Sequence, residues 1–167
     1  MDPAPPAGPV VRRATADDLP AVGALTPAAY APFLEPEDPY ADRLRDARRR
    51  HEEAELWVAV DPDGPLVGTV TTCPPGSPWR ERAVEGEGEF RMLAVAPSAQ
   101  GRGIGELLLR HVLGLFTDRA YDGVVLSSLD RMHTAHRLYA RHGFVRDPGR
   151  DWTPTPGVHL LVFVRRL

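Results

Sequence analysis

The spacing of apolar positions changes repeatedly along the chain, and each change marks an element. Val10 to Arg13 reads as a short strand. Thr15-Ala16-Asp17-Asp18 supplies helix N-cap chemistry, and Leu19, Val22 and Leu25 come next at helical spacing. That helix is expected to end near Tyr30, because Pro32 and Pro36 interrupt any continuation. Tyr40 to Glu53 predicts one second, highly charged helix. Glu55–Val60 and Leu66–Thr72 flank the turn sequence Asp61-Pro62-Asp63-Gly64 and predict a hairpin, ended by Pro74-Pro75-Gly76. After a polar loop carrying Trp79, Glu89–Val95 predicts a strong strand. A glycine-rich turn, residues 100–105, then opens a helix to about Arg119, with Ile104, Leu108, Val112 and Leu115 on one face. Val124–Leu129 is a strand, and Met132–His142 a helix stopped by Gly143. Phe144-Val145 returns to extended structure, residues 148–157 form a loop with Trp152, and Val158–Val164 is the last strand. The order β-α-α-β-β-β-α-β-α-β-β implies a mixed α/β (α+β) sheet covered by helices.

Composition narrows the chemistry. A chain of 167 residues with 43% hydrophobic and 26% charged positions fits one soluble domain, expected over residues 10–167 behind a disordered, proline-rich tail at 1–9. That tail has neither a basic start nor an apolar stretch, so no signal peptide is expected and a cytoplasmic location is the default. No apolar run approaches the roughly 20 residues of a membrane span. A net charge of −3 excludes a globally basic nucleic-acid footprint. The single cysteine, Cys73, excludes an intramolecular disulfide and a thiolate zinc cluster. All 20 lysine-plus-arginine positions are arginine, which rules out a lysine-dependent phosphate loop and Schiff-base catalysis.

The run Glu89–Pro97 leads directly into Gln100-Gly101-Arg102-Gly103-Ile104-Gly105: strand, turn, helix start. The first turn of a helix has unpaired N–H groups at the positive end of the macrodipole, and glycines let a ligand approach the backbone. Together they make a site for a phosphate or pyrophosphate, with Arg102 adding charge. The dinucleotide pattern G-x-G-x-x-G fails, because Glu106 stands where its last glycine belongs. The plain alternative is a tight turn whose glycines serve packing only.

The run RMLAVAPSAQGRGIGELLL resembles the acyl-CoA-binding motif of the GNAT family of N-acetyltransferases. Ala135-His136-Arg137-Leu138-Tyr139-Ala140-Arg141-His142-Gly143-Phe144 resembles that family's later motif, and a helix and a strand separate the two as the family requires. The resemblance implies a mostly antiparallel central sheet of six to seven strands with about four helices. It also implies a V-shaped gap where the fourth strand splays from the fifth. The pantetheine arm of acetyl-CoA is expected to pair with Leu93, Ala94 and Val95 as an added strand, and its pyrophosphate to take amides of Gln100, Gly101, Arg102, Gly103, Ile104, Gly105 and Glu106. Many members carry an asparagine where this chain has Met132.

Acetyl transfer to an amine needs a proton taken from the ammonium and one given to the departing thiolate. The resemblance puts Tyr139 near the thioester sulfur as the acid; its helix face includes Ala135, Leu138 and His142. Glu89 is the candidate base. It opens the cofactor strand and shares alternation with Leu93 and Val95 unless a bulge intervenes. The alternatives are a core aromatic with a backbone partner for Tyr139 and a solvated strand-end carboxylate for Glu89. An amide at Val95 or a neighbour is the candidate oxyanion donor. The family's acceptor walls map onto Tyr30, Phe33, Tyr40 and Trp152 beside Asp151, with acidic Glu35, Glu37 and Asp38 nearby, a set suited to a cationic amine; loop anchoring is the alternative for the same residues. His133 and His136 lack further ligands, so no metal site is expected and a solvated face is the reading. Cys73 reads as a buried filler, and Arg48-Arg49-Arg50 as a solvated helix face, with a contact to the cofactor's outer phosphates as the alternative.

These readings point to an acetyl-CoA-dependent N-acyltransferase acting on a primary amine, a small molecule or a peptide N-terminus, by direct attack in a ternary complex without a metal. A catalytically silent acyl-CoA sensor on the same fold and a nucleotide-binding protein using the same turn are the alternatives. Neither nucleic acid nor membrane is an expected partner, and the late strands could build a homodimer, as in relatives.

Overall fold

In the computed structural model, which describes residues 7–167, seven strands form one sheet in the order β1-β2-β3-β4-β5-β7-β6. The strands are β1 Val10–Arg13, β2 Glu55–Val60, β3 Leu66–Cys73, β4 Glu87–Val95, β5 Gly123–Leu129, β6 Val145–Arg146 and β7 Leu160–Arg166. Every neighbouring pair is antiparallel except β4 with β5. Of the expected tail, residues 1–6 lie outside the described residues, and 7–9 carry no regular structure.

The helices are α1 Leu19–Tyr30, α2 Tyr40–Arg45, α3 Ala47–Glu53, α4 Ile104–Asp118 and α5 His133–Arg141. The charged segment 40–53 is therefore two helices, not the single one its sequence predicts. The break is at Asp46, whose ψ of 67° leaves the helical region while its carboxylate accepts the Arg49 N–H at 3.0 Å and caps α3. The break also turns Arg50 inward. Far from lying on a solvated face, Arg50 is fully buried; it donates to the Leu44 carbonyl at 2.8 Å and reaches Thr71 and Thr26. Burial pulls its guanidinium down to about 10.

The main core lies between the sheet and α4, whose Ile104, Leu108, Leu109, Val112 and Phe116 are buried on one side. The helix sits close because Gly68 on β3 has no side chain: a Cβ there would lie 2.8 Å from Ile104 Cγ2 and 2.9 Å from Leu108 Cδ1. A second core lies under α1 and α3, around Val22, Leu56 and Val58, and a third holds Leu44, Cys73, Trp79 and Met92. Cys73 is buried, and burial pushes its thiol well above the ordinary range.

One irregularity shapes the centre of the sheet. Thr69 pairs with Ala94 and Thr71 with Arg91, so one β3 residue faces two on β4, and Met92 adopts a φ of 52°. This bulge resets the alternation along β4. Leu93 and Val95 join Phe90 in the core against α4, whereas Met92 packs in the third core. Glu89, next to Phe90 on the other side of the pleat, therefore does not share a face with Leu93 and Val95, contrary to the unbroken alternation expected from sequence.

Candidate active site

Strands β4 and β5 pair only at Glu87–Glu89 with Gly123–Val125. Beyond that point β4 stays on β3, and β5 stays on β7 out to the Leu129–Leu160 pair, so a wedge opens between them. The Ala96 N–H donates to the Val67 carbonyl at 2.9 Å, toward β3. Alternation then turns the N–H and C=O of Val95 and Leu93 the other way, into the wedge, and those of Ala94 toward β3. The wedge thus has an unpaired backbone edge at Leu93 and Val95.

The glycine turn stands at the wide end of this edge. After the short turn Pro97–Ala99, Gly101 and Gly103 take φ values of 78° and 79°, and α4 begins at Ile104. Nothing lies within 4 Å of a Cβ built on either glycine. The first helical hydrogen bond runs from the Leu107 N–H to the Gly103 carbonyl at 3.0 Å. Among the described residues, the N–H groups of Gln100 through Glu106 donate to no protein acceptor. Gly105 lets the helix start rest on Leu138, Val95 and Leu93, 3.4 to 3.8 Å from a Cβ position there, which sets the free amides beside the open edge. The two charged side chains here are engaged elsewhere. Arg102 makes a two-bond pair with Asp61 at 2.8 and 3.1 Å, and Glu106 accepts from His142 at 2.9 Å and Arg110 at 3.2 Å.

A cavity of about 610 Å³ occupies the wedge and extends toward the α1–α2 connection. Glu89, Tyr139, Leu93, Tyr30 and Trp152 all line it, while Phe33, half-buried on a short turn after α1, does not. Tyr139 projects from α5 with its ring packed among Phe90, Phe144 and Phe163 at centroid distances of 5.8 to 6.1 Å. Its hydroxyl makes no hydrogen bond to a described protein group, and burial holds the phenol above its ordinary value, so it is protonated at neutral pH.

Glu89 is 1% exposed, not a solvated strand-end carboxylate. Its Oε2 accepts the Glu81 N–H at 2.8 Å and, less closely, those of Arg82 and Ala83; Oε1 accepts only the Arg82 N–H, at 3.1 Å. Burial raises its affinity for a proton, and the three amides and Arg91 oppose that rise. A buried carboxyl with a raised pKa and a spare lone pair on Oε1 suits general-base work near neutral pH.

The cavity wall also holds a charged group that sequence reasoning missed. Arg91 points into the cavity, pairs with Glu81 and lies 5.4 Å from the centre of the Trp79 ring. Trp152 donates to Ser127 Oγ at 3.1 Å. Arg91 alternates correctly on its strand, but nothing local to it distinguishes a cavity wall from a sheet surface. His136 is half-buried against Phe163, within 3.0 and 3.1 Å of the Leu129 carbonyl and Ser128 Oγ, and so is not part of a solvated face. No group of three or more His, Cys, Asp or Glu among the described residues is placed to hold a metal, and no described helix is long and apolar enough to cross a membrane.

Residues 22–144 match the model of the acetyltransferase (GNAT) family. An amino-acid acetyltransferase of Mycobacterium tuberculosis is 30% identical over 152 residues, 87% of this chain and 73% of that protein. An uncharacterized N-acetyltransferase of Schizosaccharomyces pombe is 31% identical over 103 residues, 62% of this chain and 59% of the yeast protein, so the chain spans well under two thirds of that relative. Among solved structures, a GNAT-family acetyltransferase of Staphylococcus aureus superposes with a TM-score of 0.74 at 17% identity, over 96% of this chain and 99% of the other. The PaiA N-acetyltransferase of Thermoplasma acidophilum, solved in complex with coenzyme A, gives 0.71 at 15% identity, over 96% of this chain and 100% of the other. At these identities the structural likeness speaks for the fold.

Proposed function

The chain belongs to the acetyltransferase (GNAT) family, and from that premise we propose that residues 10–167 act as one domain that transfers an acetyl group from acetyl-CoA to a primary amine by direct attack in a ternary complex. The observation that carries this reading is the junction of two unsatisfied backbone surfaces: the N–H groups of residues 100–106 and the open edge of β4 at Leu93 and Val95. The first suits a diphosphate and the second suits an extended amide-bearing arm, which is the chemistry of coenzyme A. The fit includes the open space over Gly101 and Gly103, which any side chain there would fill.

When bound, acetyl-CoA supplies the thioester carbonyl as electrophile. Glu89 then takes a proton from the acceptor ammonium through Oε1, directly or by way of one water. The Val95 N–H, turned into the wedge, is the donor for charge developing on the carbonyl oxygen. Tyr139 holds the proton that the departing thiolate receives. Tyr30 and Trp152 form aromatic walls for the acceptor, and the carboxylates Glu35, Glu37 and Asp38 on the same cavity favour a cationic amine. The M. tuberculosis relative, named for amino acids, makes small amino compounds the first acceptors to try.

The test is thiol release from acetyl-CoA across a panel of amines, amino acids and peptide N-termini, with mass detection of the acylated product. Acetyl-CoA should also raise the melting temperature. Stabilisation with no release from any acceptor would favour a sensor, and stabilisation by ATP but not by acetyl-CoA would overturn the cofactor assignment.

A further inference from the structure

Two loops 68 positions apart in sequence are locked together beside the cavity. The Arg82 guanidinium donates to the Arg150 carbonyl at 2.7 Å, and the Arg150 guanidinium donates back to the Arg82 carbonyl at 2.6 Å. Arg150 is also paired to Glu87 at 2.8 and 2.9 Å, which anchors the lock to the first residue of β4. The Arg82 guanidinium lies 5.1 Å from the centre of the Trp152 ring, a cavity wall. Meanwhile the backbone N–H of the same residue bonds both carboxylate oxygens of Glu89. One residue therefore touches the acceptor wall with its side chain and the candidate base with its main chain.

We propose that Arg82 is a positioning residue that couples the acceptor wall at Trp152 to the Glu89 carboxylate, so that the two loops hold the base and the acceptor in register. The proposal rests on the reading of Glu89 as general base. The physical reason is local. Residues 81–83 lie in a loop without regular hydrogen bonding, and amides in such a loop hold a carboxylate only if the loop is held in turn. The reciprocal bonds hold the Arg82 side chain and its carbonyl, both attached next to the Arg82 N–H on its C-terminal side, and the stack on Trp152 transmits any displacement of that ring. No short-range sequence signal calls for this pairing.

The charged and titratable groups around Glu89 are Cys73 on β3, Glu87 and Arg91 on β4, Arg80, Glu81 and Arg82 in the loop, and Arg150 across the lock. Removing the lock loosens the amides, which favour the ionised carboxylate, while the burial that disfavours it persists. The acidic limb of the kcat/KM pH profile should then move to higher pH.

The experiment compares Arg82→Ala, Arg150→Ala, Arg82→Lys and Glu89→Gln, each first checked for an acetyl-CoA-induced rise in melting temperature. Arg82→Ala and Arg150→Ala should move the acidic limb up by about half to one pH unit and raise the acceptor KM several-fold, with the acetyl-CoA KM held within about twofold. Arg82→Lys, which keeps a donor for the Arg150 carbonyl, should recover most of both losses. A limb that stays put or moves to lower pH in both alanine variants, or an unchanged acceptor KM, overturns the coupling. Glu89→Gln separates the two readings. If the limb survives in that variant, Glu89 is not the base and the reading beneath the proposal fails. If the limb is lost there but unmoved in the arginine variants, only the coupling fails.

Discussion

Gly103→Ala separates a turn-forming glycine from a ligand-admitting one. The residue sits at φ 79°, ψ 13°, in the left-handed region, and a Cβ there meets nothing within 4 Å. The stability cost is therefore conformational only, about 1–2 kcal/mol for a side chain in that region. At roughly 2–4 °C per kcal/mol for a domain this size, the melting temperature should fall by about 2–8 °C. Binding should suffer separately. A diphosphate drawn onto the neighbouring free N–H groups should meet the added methyl, and losing one hydrogen bond to a charged group costs about 1.5–3 kcal/mol. Because about 1.4 kcal/mol is a factor of ten, the acetyl-CoA Kd should rise about 10- to 150-fold. Isothermal titration of the folded variant, well below its melting point, measures this without interference from unfolding. A variant that loses the expected stability yet binds acetyl-CoA within twofold of wild type refutes the argument, because the glycine would then serve the turn alone.

Tyr139→Phe should lower kcat about 10²- to 10⁴-fold, the span of a positioned acid, with acetyl-CoA affinity within about twofold; steady-state thiol release and titration together check the split. The mutation removes no hydrogen bond to a described protein group, so the melting temperature should barely change. Gly68→Ala should destabilise the fold by about 1–3 kcal/mol, since its Cβ would overlap the buried ends of Ile104 and Leu108. Thermal unfolding reads that loss directly, and an unchanged melting temperature would show that α4 can lift off β3 without cost.

Much of this molecule is written locally. β1 and β2 begin and end where alternation and flanking turn residues put them, at Val10–Arg13 and Glu55–Val60. The glycine turn into α4 is legible because both its parts are short-range: positive φ needs glycine, and a helix start leaves its first amides unpaired whatever surrounds it. Tyr139 and Leu93–Val95 stand out as site candidates only through motif resemblance, because nothing in their own spacing separates a cavity wall from a core.

Tertiary structure alone decided where the open edge of β4 lies beside those amides and which carboxylate became buried. The bulge at Met92 arises from a mismatch of one residue between β3 and β4, so it exists only once the two strands are paired. It moves Leu93 and Val95 to the face opposite Glu89. Arg50 reads in sequence like its charged neighbours and is instead enclosed by three elements that meet only in the fold. The wedge exists because β4 and β5 stop pairing after three residues, and the lock on Glu89 joins positions 82 and 150. Periodicity and turn chemistry report the few residues on either side of a position, which is enough to define strands, helices and a glycine turn at a helix start. A proton's affinity for one carboxylate depends on everything within a few ångströms of it, and most of that arrives from elsewhere in the chain.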